Sequence, residues 1–220
     1  GYFKLIENDD YDILYLQENI GKLWMVNQLA HKPFPSGRLT HGLVHAIKDL
    51  KLKHGLNKDD IESIECFVPP GVYKLVARPI IDNLTTNYSK LCAKFVGASF
   101  MINDHLNIET FTEKKYLNNK DTLNFAKKIT MIKNDKLDQK VLTPQKFIIT
   151  LVNNSKFEIN IDHVYGHPKA PLSEKEYLEK FSKCCFSSTN KVDQNQVNRM
   201  LDFIFDLENK DNVIDFFKTI

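Results

Sequence analysis

The chain has 220 residues, 42% of them hydrophobic, and its 30 basic side chains nearly balance 28 acidic ones, which leaves a net charge of +2. Because the two signs of charge are so nearly equal, the sequence shows no excess of basic residues that would bind nucleic acid or a membrane surface. No stretch approaches the roughly 18 consecutive apolar residues of a membrane span, and the first residues lack the pattern of a signal peptide. We therefore expect no nucleic-acid partner and no membrane partner.

The cysteine pattern points to a reducing compartment. Cys66, Cys92, Cys184 and Cys185 show no C-x-x-C spacing, and an adjacent pair does not easily close a relaxed disulfide. We therefore expect a cytoplasmic protein. The residues present require no cofactor.

The first half of the chain is expected to be mainly helical. Residues 2–20 should form a helix end followed by a short helix or loop, and residues 23–29 a strand that leads into a proline-rich corner. The remaining elements predicted in this half are a helix from about Arg38 to Gly55, a turn at residues 57–60, a strand over 63–68, a short helix over 71–77 and a longer helix over 88–102.

In the second half of the chain the spacing of apolar residues changes from helical to alternating. Helices are expected to start at Phe111 with a Thr112 cap and to cover 121–127. Three strands then follow at 129–132, 146–152 and 157–164, the last two joined by a hairpin turn at 153–155. A capping box at Ser173 to Glu176 opens a helix through Lys183, and a final helix covers 192–208. This pattern indicates an α+β fold in which a small antiparallel meander lies between helices.

The stretch from Lys32 to Ile47 has the composition of a loop-to-helix corner. Two prolines exclude helix before Ser36, whereas Ser36, Gly37 and Thr40 are residue types that end turns and cap helices. Lys32, Arg38 and His41 would then converge near backbone N–H groups that have no intrahelical partner, which outlines an anion site. The alternative is an ordinary connection with solvated charges.

A zinc site at this helix is not expected. His41 and His45 are four residues apart, as zinc ligands can be, but Gly42 follows the first histidine where the zinc-protease motif has glutamate. No third ligand is in view, so we predict no metal.

The segment Lys32-Pro-Phe-Pro-Ser-Gly-Arg-Leu-Thr-His41 resembles the core signature of the MmgE/PrpD family. Members of that family include 2-methylcitrate dehydratases, cis-aconitate decarboxylases and an iminodisuccinate epimerase. Further stretches resemble family blocks in the family's order, at residues 60–65, 78–79, 87–92, 111–112 and 165–173.

The resemblance implies a two-domain architecture. Residues 1–20 and 172–220 would belong to a large all-helical domain, and residues 21–171 would form a smaller α+β domain. Most of the helical domain would lie outside this sequence, which then corresponds to the C-terminal part of a longer polypeptide. Its partners would be an N-terminal helical domain, on the same or another chain, and a second copy in a homodimer.

The resemblance also implies a chemistry. Family reactions act on small di- and tricarboxylic acids and move a proton α to a carboxylate. Lys32 and His41 would be the catalytic residues that transfer protons, and Arg38 would bind a substrate carboxylate in a bidentate fork. Ser36 and Gly37 would add a hydroxyl and an N–H donor.

Three functions stay open at this point. The first is a dehydratase-like lyase that is inactive without the helical domain, because several family catalytic residues lie there. The second is an isomerase or epimerase on the same fold. The third is a non-catalytic remnant that serves only in subunit interaction. A decarboxylase is disfavoured, since cis-aconitate decarboxylases carry a histidine at the position of Gly37.

Overall fold

The fold is built on a four-stranded sheet with helices packed against it. The computed structural model describes residues 1–190 and 192–218. The strands are β1 (Ile61–Val68), β2 (Ile129–Lys133), β3 (Gln145–Leu151) and β4 (Lys156–Ile161). The α-helices are α1 (Tyr2–Ile6), α2 (Ile13–Asn19), α3 (His41–His54), α4 (Pro70–Val76), α5 (Thr86–Lys90), α6 (Ala93–Asn103), α7 (Ile108–Thr112), α8 (Lys114–Leu117), α9 (Lys120–Lys127), α10 (Glu174–Phe186) and α11 (Gln194–Phe205). Short 3-10 turns occur at Met25–Gln28, Arg38–Thr40, Leu207–Asn209 and Val213–Lys218.

The sheet is mixed, with strand order β2-β1-β3-β4. The α+β class and the β3–β4 hairpin are confirmed, and Asn154 in the hairpin turn takes a positive φ of 68°. The expected antiparallel meander is wrong for β2, which pairs in parallel with β1 on the side away from β3. A parallel neighbour needs a long crossover, and the helices between the two strands supply it.

The core lies between the sheet and the helices α3 and α6. Residues on β1 and β3 alternate between buried and partly exposed positions, as expected for strands with one covered face. Helix α6 packs against both α3 and α9. Gly97 permits this approach, because a Cβ there would lie 2.6 Å from Leu43 Cδ2. The largest fully buried apolar side chains are Phe95, Phe111, Phe147, Ile47, Leu50, Ile61, Ile64, Ile129 and Ile149.

Several helix boundaries match the sequence signals. Helix α3 ends at Gly55, whose φ of 64° is the left-handed conformation that favours glycine at a helix C-terminus. Helix α10 begins with the predicted capping box, in which Ser173 and Glu176 bond each other's backbone N–H. Helix α11 has Val197, Met200 and Phe203 buried along one stripe.

Three predicted elements differ in the structure. The strand over 23–29 is wrong: Met25–Gln28 is a 3-10 turn, and it pairs with none of the four described strands. The helix over 88–102 is interrupted, since Cys92 is extended between α5 and α6. The N-cap of α7 is Asn107, and Thr112 is the last residue of that helix.

Both ends of the described chain carry exposed apolar side chains. None of residues 1–30 is buried, although this segment includes Trp24, whose side chain is 65% exposed. Near the other end Phe205 and Phe217 are 66% and 71% exposed. Within residues 1–190 and 192–218 no helix is long and apolar enough to span a membrane.

Candidate functional site

The corner between residues 32 and 41 is held by its own polar side chains. Ser36 and Thr40 are buried, and their hydroxyl oxygens lie 3.0 Å apart. The Thr40 hydroxyl also donates to the Gly37 carbonyl at 2.8 Å. These bonds fix the 3-10 turn at Arg38–Thr40 and deliver the chain into α3 at His41. The predicted loop-to-helix corner is therefore confirmed, and the buried Ser36 hydroxyl bonds to Thr40 within it.

Gly37 marks a close approach to the end of α5. Its N–H, predicted as a donor to substrate, donates to the Lys90 carbonyl at 2.8 Å. A Cβ on Gly37 would lie 2.6 Å from Leu91 Cδ2 and 3.3 Å from the Lys90 oxygen. A larger side chain at this position therefore requires the α5 end to move, which is consistent with the absence of the decarboxylase histidine.

Arg38 holds the loop that follows the sheet. Its two terminal nitrogens donate to the carbonyls of Tyr165, at 2.7 Å, and Val164, at 3.3 Å. Burial lowers the pKa of the guanidinium from its usual value. The guanidinium that is predicted to bind a substrate carboxylate therefore donates to two main-chain carbonyls in this structure, and these bonds fix the loop against the corner.

The loop at residues 165–171 is tied to the corner from a second side. The His31 N–H donates to the Gly166 carbonyl at 2.8 Å. Gly166 has a φ of 87°, and a Cβ there would lie 2.2 Å from the His31 oxygen. This stretch is a structural turn and also borders the cavity described below, because Tyr165 lines that cavity.

His41 is fully enclosed, with 0% of its side chain exposed. Neither ring nitrogen makes a hydrogen bond to any described residue. The main chain of Ser36 acts to raise the pKa of the ring, but its effect is smaller than those that lower it. Burial, and then the charges of Arg38 and Lys32, lower the pKa of His41 to about 3. The imidazole is therefore neutral at neutral pH, and it packs edge-on against Phe34 with ring centroids 5.3 Å apart.

His45, one turn further along α3, does not complete a metal site with His41. Its Nε2 lies 3.8 Å from an Asp49 oxygen, and its ring faces Tyr165 with centroids 5.6 Å apart. Across residues 1–190 and 192–218, no group of three or more His, Cys, Asp or Glu side chains is placed to hold a metal ion.

Lys32 lies at the edge of a cavity of about 740 Å³ between the corner, the α6–α7 connection and α10. Such a volume is within the range of small-molecule sites. The Lys32 side chain is exposed and has no carboxylate within ion-pair distance in the described chain. Apolar side chains from all three parts line the cavity: Pro33, Phe34, Pro35, Phe100, Leu106, Ile108, Leu172 and Phe186.

The charged residues around the cavity are partly neutralised. Lys48 pairs with Glu176 at 2.7 Å, and Asp104 pairs with Lys51 outside the lining. Lys180 and Lys183 line the α10 wall, and neither has an ion-pair partner among the described residues. Glu109 and Glu179 also line the cavity, and their carboxylates likewise have no ion-pair partner among the described residues.

Sequence reasoning missed the cavity wall formed by α10. The signal was present, because Glu176, Lys180 and Lys183 recur at helical spacing and so share one face of the predicted helix. Nothing in the sequence indicated that this face would lie opposite Lys32. The sequence likewise places Phe34 in the corner but does not indicate that its ring contacts His41.

Residues 78–79 and 87–92, which both resemble family motifs, contact each other next to the corner. The Arg78 guanidinium lies over the Tyr88 ring at 5.2 Å, and the Tyr88 hydroxyl donates to the Pro79 carbonyl at 2.8 Å. The Cys92 thiol donates to the Arg78 carbonyl at 3.3 Å. Since Lys90 also accepts from Gly37, residues far apart in sequence converge on one support for the Lys32 corner.

The fold and the cavity define an α+β domain with a lysine-bearing pocket of small-molecule size. The comparison with known families then places the chain more closely. The sequence model for the MmgE/PrpD C-terminal domain matches residues 34–203. The chain therefore belongs to the MmgE/PrpD family, and the matched part is that family's C-terminal domain. No curated protein matches the chain in sequence.

Proposed function

We propose that this domain forms one wall of a cleft in which a small di- or tricarboxylic acid reacts by proton transfer α to a carboxylate, in a dehydratase-like lyase reaction. The observation that carries the proposal is the unpaired Lys32 ammonium at a cavity of about 740 Å³, within a chain of the MmgE/PrpD family.

The charge of the reaction explains the need for Lys32. Removing a proton α to a carboxylate creates an enolate-like transition state with additional negative charge, and preorganised cations and N–H donors are usually the largest source of its stabilisation. Lys32 supplies a cation that no described carboxylate neutralises. Lys180 and Lys183 supply two more on the opposite wall.

His41 is not the proton acceptor that a histidine in an active site usually is. With a pKa near 3 it is a weak proton acceptor at neutral pH, whereas a neutral imidazole remains a hydrogen-bond donor. We therefore assign proton donation toward the leaving group to the Lys32 ammonium, and hydrogen-bond donation toward the developing negative charge to His41. The base that accepts the α proton would come from the helical partner.

We further propose the partners that the domain needs. The exposed apolar residues of segments 1–30 and 204–217 would be covered by an all-helical domain, on the same or another chain, and by a second copy in a homodimer. Residues 1–20 and 172–220 would join that helical domain, and 21–171 would form the α+β domain. The assembled enzyme would be cytoplasmic, and this domain alone would be inactive.

Substitution of Lys32 tests the proposal. In the domain assembled with its helical partner, Lys32→Ala should lower kcat/KM for the substrate by about 10²–10⁴-fold, the usual range for a positioned proton-transfer group. Lys136→Ala, at an exposed lysine outside the segments proposed to be covered and outside the cavity, is the matched control and should leave turnover unchanged. Normal kinetics for Lys32→Ala would remove Lys32 from the mechanism.

A dicarboxylate epimerase is the second candidate beside the lyase, because its reaction passes through the same enolate-like state and would use the same Lys32 cation at the cavity. Incubation in D₂O distinguishes them: an epimerase exchanges and inverts the α position without forming an alkene, whereas the lyase forms one. The non-catalytic alternative predicts that co-expression with a helical partner restores no activity.

A further inference from the structure

We propose that the Phe34 side chain is a gate between the cavity and His41, and that it rotates into the cavity to give a ligand access to the imidazole. The gate deepens the proposed function, on which its catalytic meaning rests. Its existence is a separate structural claim and is tested separately below.

The ring positions place Phe34 between the two compartments. The Phe34 ring contacts His41 edge-on at 5.3 Å between centroids, and it contacts Phe100 at 5.8 Å. Phe34 and Phe100 both line the cavity, whereas His41 does not. The Phe34 ring therefore lies between the cavity and the imidazole, with the Phe100 ring beside it.

The state of His41 gives the second observation. Its side chain is 0% exposed, and both ring nitrogens lack a hydrogen-bond partner among the described residues. Buried polar groups are nearly always bonded, since leaving one unsatisfied is costly. Here the desolvated imidazole lies directly behind a ring that borders open volume. Admission of a polar ligand past Phe34 would provide the missing partner.

The backbone around Phe34 restricts how the gate can move. Pro33 and Pro35 fix φ on both sides, and Pro35 also limits the conformation of Phe34 itself. The motion must therefore occur mainly by side-chain rotation between rotamers. Phe34 is partly exposed, and the adjoining cavity of about 740 Å³ has room for the displaced ring.

Chemical labelling of His41 tests the gate. Diethyl pyrocarbonate transfers a carbethoxy group to an accessible neutral imidazole nitrogen and releases ethanol and CO₂. Peptide mass spectrometry gives the labelling rate at His41, with exposed His54 as the reference in the same molecule. His41 is neutral at pH 6.5–7 because its pKa is about 3, so its rate reports access.

We expect slow labelling of His41 in the unaltered chain and labelling about tenfold faster in Phe34→Ala, which corresponds to a shift of about 1.4 kcal/mol in the opening equilibrium. Phe34→Leu, a milder change, should give a smaller acceleration. Phe186→Ala is the matched control, because Phe186 lines the α10 side of the cavity and makes no ring contact with His41. Its His41 rate should be unchanged.

Three results would overturn the gate. They are an unaltered His41 that labels as fast as His54, Phe34 variants with no acceleration, and an acceleration accompanied by alkylation of the buried Cys66 thiol, which reports general unfolding. The labelling rate of His41 does not depend on whether the protein turns over a substrate. A Lys32→Ala enzyme with normal kinetics would therefore overturn the proposed function and leave the gate standing.

Discussion

His41 shows how a single residue type acquires its properties from its surroundings. An ordinary histidine titrates near pH 6.5, but here burial and two nearby cations lower the pKa to about 3. The unfolded chain therefore binds a proton at His41 between these pH values, whereas the folded chain does not. Protonation favours the unfolded state, so His41 makes the fold less stable as the pH falls from about 6.5 towards 3.

Replacement of His41 should make stability less sensitive to acid. Below pH 6.5, His41 should lower the free energy of unfolding of the unaltered chain by about 1.4 kcal/mol per pH unit. From pH 7 to pH 5 the unaltered chain should therefore lose about 2 kcal/mol more free energy of unfolding than His41→Leu does. Urea denaturation at the two pH values measures the difference. His54→Leu, at an exposed histidine, should show no such change, and an equal effect in both variants would contradict the low pKa.

At the scale of elements, the corner and the loop at 165–171 behave as one unit. Arg38 bonds two carbonyls at the start of the loop, and Gly166 bonds the main chain of His31 just before the corner. Helix α10 is joined to the same unit, since Glu176 pairs with Lys48 of α3. Although burial alone would raise its pKa, hydrogen bonds from Lys48, Tyr165 and Ser173 lower the pKa of Glu176 to about 2.

Two glycines provide a matched test of this unit. Gly55 and Gly166 both have positive φ, but a Cβ meets nothing within 4 Å at Gly55 and lies 2.2 Å from the His31 oxygen at Gly166. Gly55→Ala should therefore cost only the backbone strain, about 1–2 kcal/mol. Gly166→Ala should cost a further ~1–3 kcal/mol, because the main chain of residue 31 must move.

Thermal or urea unfolding of the two variants measures these costs. Amide exchange at residues 31–38 should also rise in Gly166→Ala and stay unchanged in Gly55→Ala, since only the first variant disturbs the corner. Equal destabilisation of both variants would mean that the close approach at Gly166 contributes nothing.

At the scale of the whole molecule, the described chain has a well-packed centre and apolar ends. The buried side chains lie between residues 36 and 203, whereas the large apolar side chains of segments 1–30 and 204–217 are mostly exposed. Exposed apolar surface of this extent is typical of a surface that packs against another protein element.

The single tryptophan of the sequence reports on that surface. Trp24 lies in the exposed N-terminal segment, with 65% of its side chain accessible. We expect solvent-like emission and efficient iodide quenching for the domain alone, and a blue shift with weaker quenching when a helical partner or a second copy binds. An active assembly in which Trp24 emission stays solvent-like would contradict coverage of this segment.

Short stretches of the sequence were enough to predict the local elements and the family. Capping residues, glycines and proline pairs act through neighbouring backbone atoms, so α3, its end at Gly55, the Ser173 capping box and the β3–β4 hairpin were predictable from short stretches. The ordered motifs likewise indicated the family whose C-terminal domain matches residues 34–203.

Contacts between distant residues, in contrast, depend on how the whole chain packs. The parallel pairing of β2, the wall that α10 sets opposite Lys32 and the engagement of Arg38 by carbonyls more than 120 residues away depend on contacts between distant segments. The same holds for His41, whose chemical character is set by the space around it. Burial, local dielectric and partner geometry arise from packing, and no pattern of neighbouring residue types records them.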